Sequence, residues 1–254
     1  MQSLCLKSYA ICCMFTQIKC ALRFMNTIIC VTLISMLKQI AIDGPVASGK
    51  TTVGRRVSHA LSWKFLDTGL MYRAATWLIL KNMIRLDQPN EMSATVGQVK
   101  MELKSEGEAD VLLVNGIDIT RELRTQRIEE TVPCVSKVSG VRSALIEQQR
   151  TIARQGPIVM VGRDIGTVVL QNAPVKVYLE ASPEVRAFRR YTENLSNKEI
   201  STLETVSLEI GNRDQIDSGR KESPLHPAKD AIVINTSSLT IDDVVRTILD
   251  MTKL

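Results

Sequence analysis

The run IAIDGPVASGKTT, beginning at Ile40, constrains this chain more than any other feature in it. A short apolar stretch of strand character breaks at Gly44 into Pro45, Val46, Ala47 and Ser48. It closes at Gly49 and passes through Lys50, Thr51 and Thr52 into a helical pattern. The spacing is G-x-x-x-x-G-K-[ST]. Glycines let the chain turn so tightly that successive backbone N–H groups point inward at anionic oxygens. A helix starting at the loop adds the partial positive charge of its first turn. Val53, Val57, Ala60 and Leu61 recur at helical spacing, so that helix has one apolar stripe to bury. The unit is a cradle for a phosphate chain. Lys50 is placed to reach the outer phosphates, and the Thr51 hydroxyl to ligate Mg²⁺. Kinases, GTPases and motors all use such a cradle.

The rest of the chain alternates strands with helices. Lys38 to Asp43 reads as the first strand, KFL before Asp67 as the second, followed by a helix near 71–81. PIVMVG (157–162), VKVYLEA (175–181) and AIVINT (231–236) are continuous apolar runs of the kind buried in a parallel sheet. TIDDVVRTILDM closes the chain as a helix. The expected architecture is a three-layer α/β fold of the P-loop NTPase kind with a five-stranded parallel sheet. The interval 86–135 breaks the rhythm. Within it, ADVLLVNGIDIT holds two short β runs joined at Asn115-Gly116, a strong hairpin signal. It is read as an insert beside a core made of 36–85 and 136–254, and a helix over 141–154 leads back to the sheet.

Composition narrows the function. The net charge of +5 is modest and no basic run is long enough for a nucleic-acid arm, so a small polyanion is the simpler partner. Five of the six cysteines lie in the first 30 residues without a C-x-x-C pair. The body therefore has no disulfide framework or thiolate metal site, which suits a reducing, cytoplasmic setting. Residues 1–35 are apolar but interrupted by Lys19 and Arg23. The charge-free run from Phe24 to Leu37 is short of the ~20 residues of a spanning helix. With Met36 directly before the first strand, this stretch is read as an extension outside the fold and no membrane association is expected, with an amphipathic surface anchor or targeting segment as the alternative.

GTPases would add N-K-x-D, and NKEI at 197–200 lacks the Asp. A small phosphotransferase remains, and it needs a second phosphate site. LDTGLMYR supplies Thr68, Tyr72 and Arg73, GRDIGT supplies Arg163 and Asp164, and RDQIDSGRKESPL supplies Arg213, Asp217 and Arg220. These stretches are read as Gly/Asp-rich loops at strand exits, where ligands of open α/β sheets bind. Arg forks grip phosphate bidentately. ASPEVRAFRRY opens a helix with Ser182 as N-cap and Pro183 first. It sets Arg186, Arg189 and Arg190 on one face of a lid spanning 183–210, with the polar stretch 192–207 as its tip. Neither histidine, His59 or His226, is placed to act as a general base.

Together these stretches resemble the bacterial-type cytidylate kinases, a family of nucleoside monophosphate kinases. IAIDGPVASGKTT, LDTGLMYR, GRDIGTVV, ASPEVRAFRRY, RDQIDSGRKESPL and AIVINTSSLTIDDVV carry the likeness, in order, over about 85% of the chain. The hairpin insert ending in ITRELRTQRIEE is similar to that family's nucleoside-binding domain. The resemblance implies transfer of the ATP γ-phosphoryl group to CMP or dCMP with Mg²⁺, by a monomer. It implies that Thr68, Arg142 and Asp164 read the cytosine. Arg73, Arg163 and Arg220 would hold the acceptor phosphate, Arg213 and Asp217 the sugar, and Tyr72 would complete the set. Gly44 through Thr52 would hold ATP, and Lys50, Arg163, Arg186 and Arg190 would neutralise charge in the reaction. Where the family has a serine near the sugar, this chain has Pro133, and Ser136 is the hydroxyl available to substitute after a local shift. Phe188 stands where a further basic residue is common. Two other readings remain open from residues alone: a kinase for another small acceptor, and a nucleotide-binding protein without turnover.

Overall fold

The computed structural model describes residues 38–253, apart from 107–108, 198 and 221–222. The expected extension over 1–35 lies outside the described residues. In chain order the first elements are β1 (Gln39–Asp43), α1 (Lys50–Leu61), β2 (Lys64–Asp67), α2 (Thr68–Lys81) and α3 (Pro89–Gly97). Next come β3 (Met101–Glu106), β4 (Ala109–Val114), β5 (Ile117–Asp118), α4 (Gln126–Val135) and α5 (Ser139–Ala153). The chain continues with β6 (Ile158–Gly162), β7 (Val175–Glu180), α6 (Pro183–Ser196), α7 (Leu203–Ser218), β8 (Ile232–Asn235) and α8 (Ile241–Met251).

Five strands pair in parallel in the order β2-β6-β1-β7-β8. Each residue of β1 and β6 is buried, which explains why both read as unbroken apolar runs. Alternation across the pleat divides the core into two layers. Ile40 and Ile42 face α1 and α8 in one cluster with Val53, Val57, Val244 and Ile248. Ala41, Leu66 and Met160 face the other way, onto α2 and α5 through Met71, Ala75 and Leu145. Strand β1 lies between β6 and β7, so the chain crosses from one side of β1 to the other between them. That reversal opens a crevice at the carboxyl ends of the central strands.

The interval between α2 and α5 is richer than a hairpin. Asn115 and Gly116 both have positive φ, 50° and 79°, and join β4 to β5 as the sequence predicts. The correction is a third strand: β3 pairs antiparallel with β4 along six residues. MELKSE has helix-forming composition, and only its packing onto β4 makes it a strand. Met101, Leu112 and Val114 bury into the same cluster as α2 and α5, so this small sheet has no core of its own.

Two further expectations shift. Helix α2 begins at Thr68 rather than near 71, because the Asp67 carboxylate accepts the Gly69 N–H and caps it. The stretch 192–207, expected as the lid tip, is largely helical: α6 runs to Ser196 and α7 restarts at Leu203 behind a Thr202/Thr205 capping box. Ala187, Val206 and Ile210 join this helix pair in a separate cluster that also touches Val46 and Ala47.

Asp43 ends β1 with 4% of its surface exposed. Its carboxylate accepts the N–H groups of Ile165 and Gly166, each at 2.7 Å, at the head of a single π turn (Ile165–Val169) that follows β6. Burial outweighs those hydrogen bonds and raises its pKa from 3.8 to about 6. The folded protein therefore holds this proton more tightly than the unfolded chain. Stability contributed by Asp43 is present at low pH and is lost as pH rises from about 4 through 6. Melting curves should show wild type losing roughly 5–10 °C relative to Asp43→Asn between pH 4 and pH 7. A difference that stays constant over that range would refute the raised carboxyl.

Candidate active site

The glycine loop after β1 closes over the crevice as its sequence requires. Gly44 has φ 148°, and a Cβ there would lie 2.1 Å from the Leu179 carbonyl oxygen. Gly49, at φ 96°, forms the N-cap of α1 without a side-chain hydrogen bond, so the first N–H groups of the helix stay turned toward the loop. Lys50 is buried and folds back, its Nζ donating to the Pro45 carbonyl and, at 3.2 Å, to Ser48 Oγ. Burial first, and then the charge of Arg163, lower the Lys50 pKa to about 7. The Thr51 hydroxyl donates to Asp67 Oδ2 at 2.8 Å. Thr52 is exposed on α1.

The arginines of the expected second phosphate site gather around one carboxylate. Asp217 is fully buried, and its Oδ2 receives Arg163 Nε at 2.7 Å. Its Oδ1 receives Arg220 Nη2, and Arg213 Nε stands 3.5 Å from Oδ2. Burial alone would raise the Asp217 carboxyl. The guanidiniums of Arg163, Arg213 and Arg220 outweigh it and hold the group below the usual carboxylate range. Contrary to the sequence expectation, Arg213 and Asp217 lie on helix α7, not in a loop at a strand exit, and Arg220 follows its C-cap Gly219. Gly219, Ser223 and Pro224 gave the stretch its loop-like composition. Val206 and Ile210 nevertheless anchor its first half as helix.

A second buried pair lies alongside. Arg142 Nη2 meets Asp164 Oδ2, with the two side chains 4% and 7% exposed. The guanidinium carbon of Arg142 stands 5.6 Å from the centre of the Tyr72 ring, a cation–π contact, and burial pushes the Tyr72 hydroxyl up to about 12. Thr68 is buried, its hydroxyl donating to the Val161 carbonyl at 2.9 Å, which leaves only its lone pairs uncommitted. Ser136 Oγ donates to the Pro133 carbonyl at 3.1 Å and accepts Arg220 Nη2 at 3.3 Å. It is therefore employed in holding Arg220. Pro133 itself lies inside α4. Between Ser136 and Arg142 on one wall and Gln215, Gly219 and Arg220 on the other lies a cavity of about 410 Å³. Among the described residues, Nε of Arg142 and Arg220 are buried donors with no hydrogen-bond acceptor, and Nε of Arg213 has only its long contact with Asp217.

The three lid arginines diverge. Arg186 is buried and reaches the Ala181 and Val46 carbonyls at 3.0 and 3.4 Å, with Asp214 at 2.7 Å. Arg189 turns to Thr236 after β8, at 3.0 and 2.6 Å. Arg190 pairs with Glu193 on its own helix at 3.1 Å and is not brought to the loop. Arg73 pairs with Glu129 of α4 at 2.7 Å. Asp43, Glu129, Asp214 and Thr236 were not singled out from sequence. An acid ending a buried apolar strand was a readable signal for Asp43, and the other three had none.

The cytidylate kinase family model matches residues 40–254. A cytidylate kinase of Geobacillus sp. (strain WCH70) is 44% identical over 213 residues, covering 84% of this chain and 95% of that protein. One from Ligilactobacillus salivarius (strain UCC118) is 45% identical over the same shares. One from Streptococcus pneumoniae (strain Hungary19A-6) is 42% identical over 83% of this chain and 95% of that protein. With the match spanning the loop, the arginine cluster and the lid helices alike, the chain belongs to the cytidylate kinase family.

Proposed function

We propose that this protein transfers the γ-phosphoryl group of ATP to CMP and dCMP, giving CDP and dCDP. One observation carries the reading. The Gly44–Thr52 loop and the arginine cluster about Asp217 adjoin, because Asp43 at the root of the loop holds the turn just after Arg163, and Arg163 in turn pairs with Asp217. Two cationic grips in electrostatic contact suit a donor phosphate chain and an acceptor phosphate brought end to end. The relatives named above are called cytidylate kinases, which supports cytosine as the acceptor base.

In this reading the loop N–H groups and Lys50 bind the donor phosphates. Arg73, Arg163 and Arg220 bind the acceptor phosphate, and Arg213 with Asp217 faces the sugar. Asp164 accepts the cytosine amino group, Arg142 donates to the acceptor atoms beside it, and Thr68 and Tyr72 line the base. Uracil would set a carbonyl against the Asp164 carboxylate. No protein nucleophile is required, because the acceptor phosphate is already an anion. Alignment and charge neutralisation do the work. Arg186, already at the Val46 carbonyl, draws the lid over the loop and excludes water. Arg190 joins only if the lid turns further.

Thr51 and Asp67 fit Mg²⁺: a hydroxyl and a carboxylate 2.8 Å apart at the loop form an all-oxygen set. That ion would shield the phosphate charge. Among the described residues no helix is long and apolar enough to cross a membrane. Action in the cytoplasm as a monomer, without nucleic acid or membrane, belongs to the same proposal.

With ATP and Mg²⁺, the purified protein should release ADP far faster with CMP than with UMP, AMP or GMP. Equal rates across the four acceptors would refute cytosine selection. Arg163→Ala should lower turnover about 10²-fold or more while far-UV circular dichroism stays unchanged. Wild-type rates in that variant would remove Arg163 from the site.

A further inference from the structure

Arg73 differs from the other crevice arginines in what holds it. Asp164, at the end of β6, takes Arg142, and Asp217, on α7, takes Arg163 and Arg220. The partner of Arg73 comes instead from α4, between the small sheet and α5. Arg73 Nε donates to Glu129 Oε1 at 2.7 Å, and Nη2 donates to Oε2 at 3.2 Å. This two-point contact uses the side edge of the guanidinium and fixes its plane. Nη1 takes no part in it and lies over Gly69, at the head of α2. A Cβ built on Gly69 would meet Arg73 Nη1 at 3.3 Å and Asp67 Oδ1 at 3.0 Å. The other oxygen of Asp67 accepts the Thr51 hydroxyl. The outer corner of Arg73 is therefore aimed at the end of β2, where the glycine loop and the arginine cluster adjoin.

Glu129 is firmly based. Ile128, Val132 and Val135 bury one stripe of α4 in the protein, so its carboxylate projects from a fixed backbone. The arrangement repeats that of Arg163, whose Nε is held by Asp217. We propose that Glu129 is the positioning residue for Arg73, holding the guanidinium side-on so that its outer edge grips the acceptor phosphate. The interval between the two halves of the sheet thereby joins the phosphate-gripping apparatus, a role beyond contact with a nucleoside. The proposal rests on the reading in which Arg73 binds that phosphate.

A competitor for Arg73 and a support for it predict opposite signs. Removing a carboxylate makes the crevice more positive, which by itself tightens binding of an anion. Loss of affinity on removing Glu129 is therefore a demanding outcome. The test measures Kd for CMP and for cytidine, which lacks the phosphate, together with kcat and KM. The variants are Glu129→Ala, Glu129→Gln and Arg73→Ala, each checked for folding by circular dichroism.

Glu129→Ala should weaken CMP about ten-fold, the equivalent of ~1.4 kcal/mol, and raise KM for CMP in step. Cytidine should stay within about two-fold, because its contacts do not involve Arg73. Glu129→Gln keeps one oxygen to accept Nε–H and should recover most of the loss. Unchanged or tighter CMP binding in Glu129→Ala overturns the proposal, the latter by making Glu129 a competitor. Equal losses for CMP and cytidine overturn it too, since they mark a purely structural contact. If Arg73→Ala leaves the CMP-to-cytidine ratio unaltered, the phosphate reading of Arg73 itself fails. If that ratio collapses in Arg73→Ala but not in Glu129→Ala, only the positioning role of Glu129 is lost.

Discussion

A carboxylate without solvent exposure, Asp217, holds the cationic side of the crevice together. Arg163 follows β6, Arg213 sits one turn earlier on α7, and Arg220 lies just past that helix. Three guanidiniums so close repel one another, and only an anion in their midst lets them share a site. Burial penalises that anion, yet its pKa is still held low, so Coulombic attraction wins here. Such a cluster is weak grounds for stability, since an apolar replacement is often as stable. Its value is geometric, because it fixes the end of α7 against the turn after β6. Removing one member of a buried pair typically costs about 3–5 kcal/mol, so the arrangement resists rearrangement once made.

The same device recurs through the crevice. Asp164 holds Arg142, Asp214 holds Arg186, and Glu129 holds Arg73. Each anion takes part of a guanidinium and leaves further donors for something else. Nε of Arg142 and Arg220 remain buried without hydrogen-bond acceptors among the described residues. Buried donors left unspent cost free energy in the unliganded protein. A phosphate or a base edge that accepts them would return it on binding.

Much of the fold was legible because local pattern and burial agree, with one correction: β8, expected from AIVINT as a buried strand, ends the strand order and leaves Ile232 and Val233 about half exposed. The glycine loop, the five apolar strands and the Asn115-Gly116 turn each carry their own signal. Strand β3 did not, because MELKSE becomes a strand only through β4, a partner that local propensity cannot see. Arg213 and Asp217 were legible as residues but not as helix, since the glycine and prolines just beyond them dominate the local reading. Arg186, Arg189 and Arg190 share a helical face by spacing, yet they find three different partners. Spacing gives direction at Cβ, while long side chains go where acceptors lie. Glu129 was invisible as a single acid among several, because its meaning comes from Arg73, 56 positions away.

Electrostatics also links the two halves of the site before any nucleotide arrives. Lys50 is buried and sits within the field of Arg163, and together these lower its pKa to about 7. The lysine folds onto the Pro45 carbonyl and Ser48 Oγ. Asp43, at the root of the loop, meanwhile fastens the π turn after β6 through Ile165 and Gly166. The Asp43 carboxylate therefore ties the root of the glycine loop to the turn that directly follows Arg163 and Asp164. Phosphate in the loop would supply the negative charge that Lys50 lacks and draw it outward, strengthening its positive form.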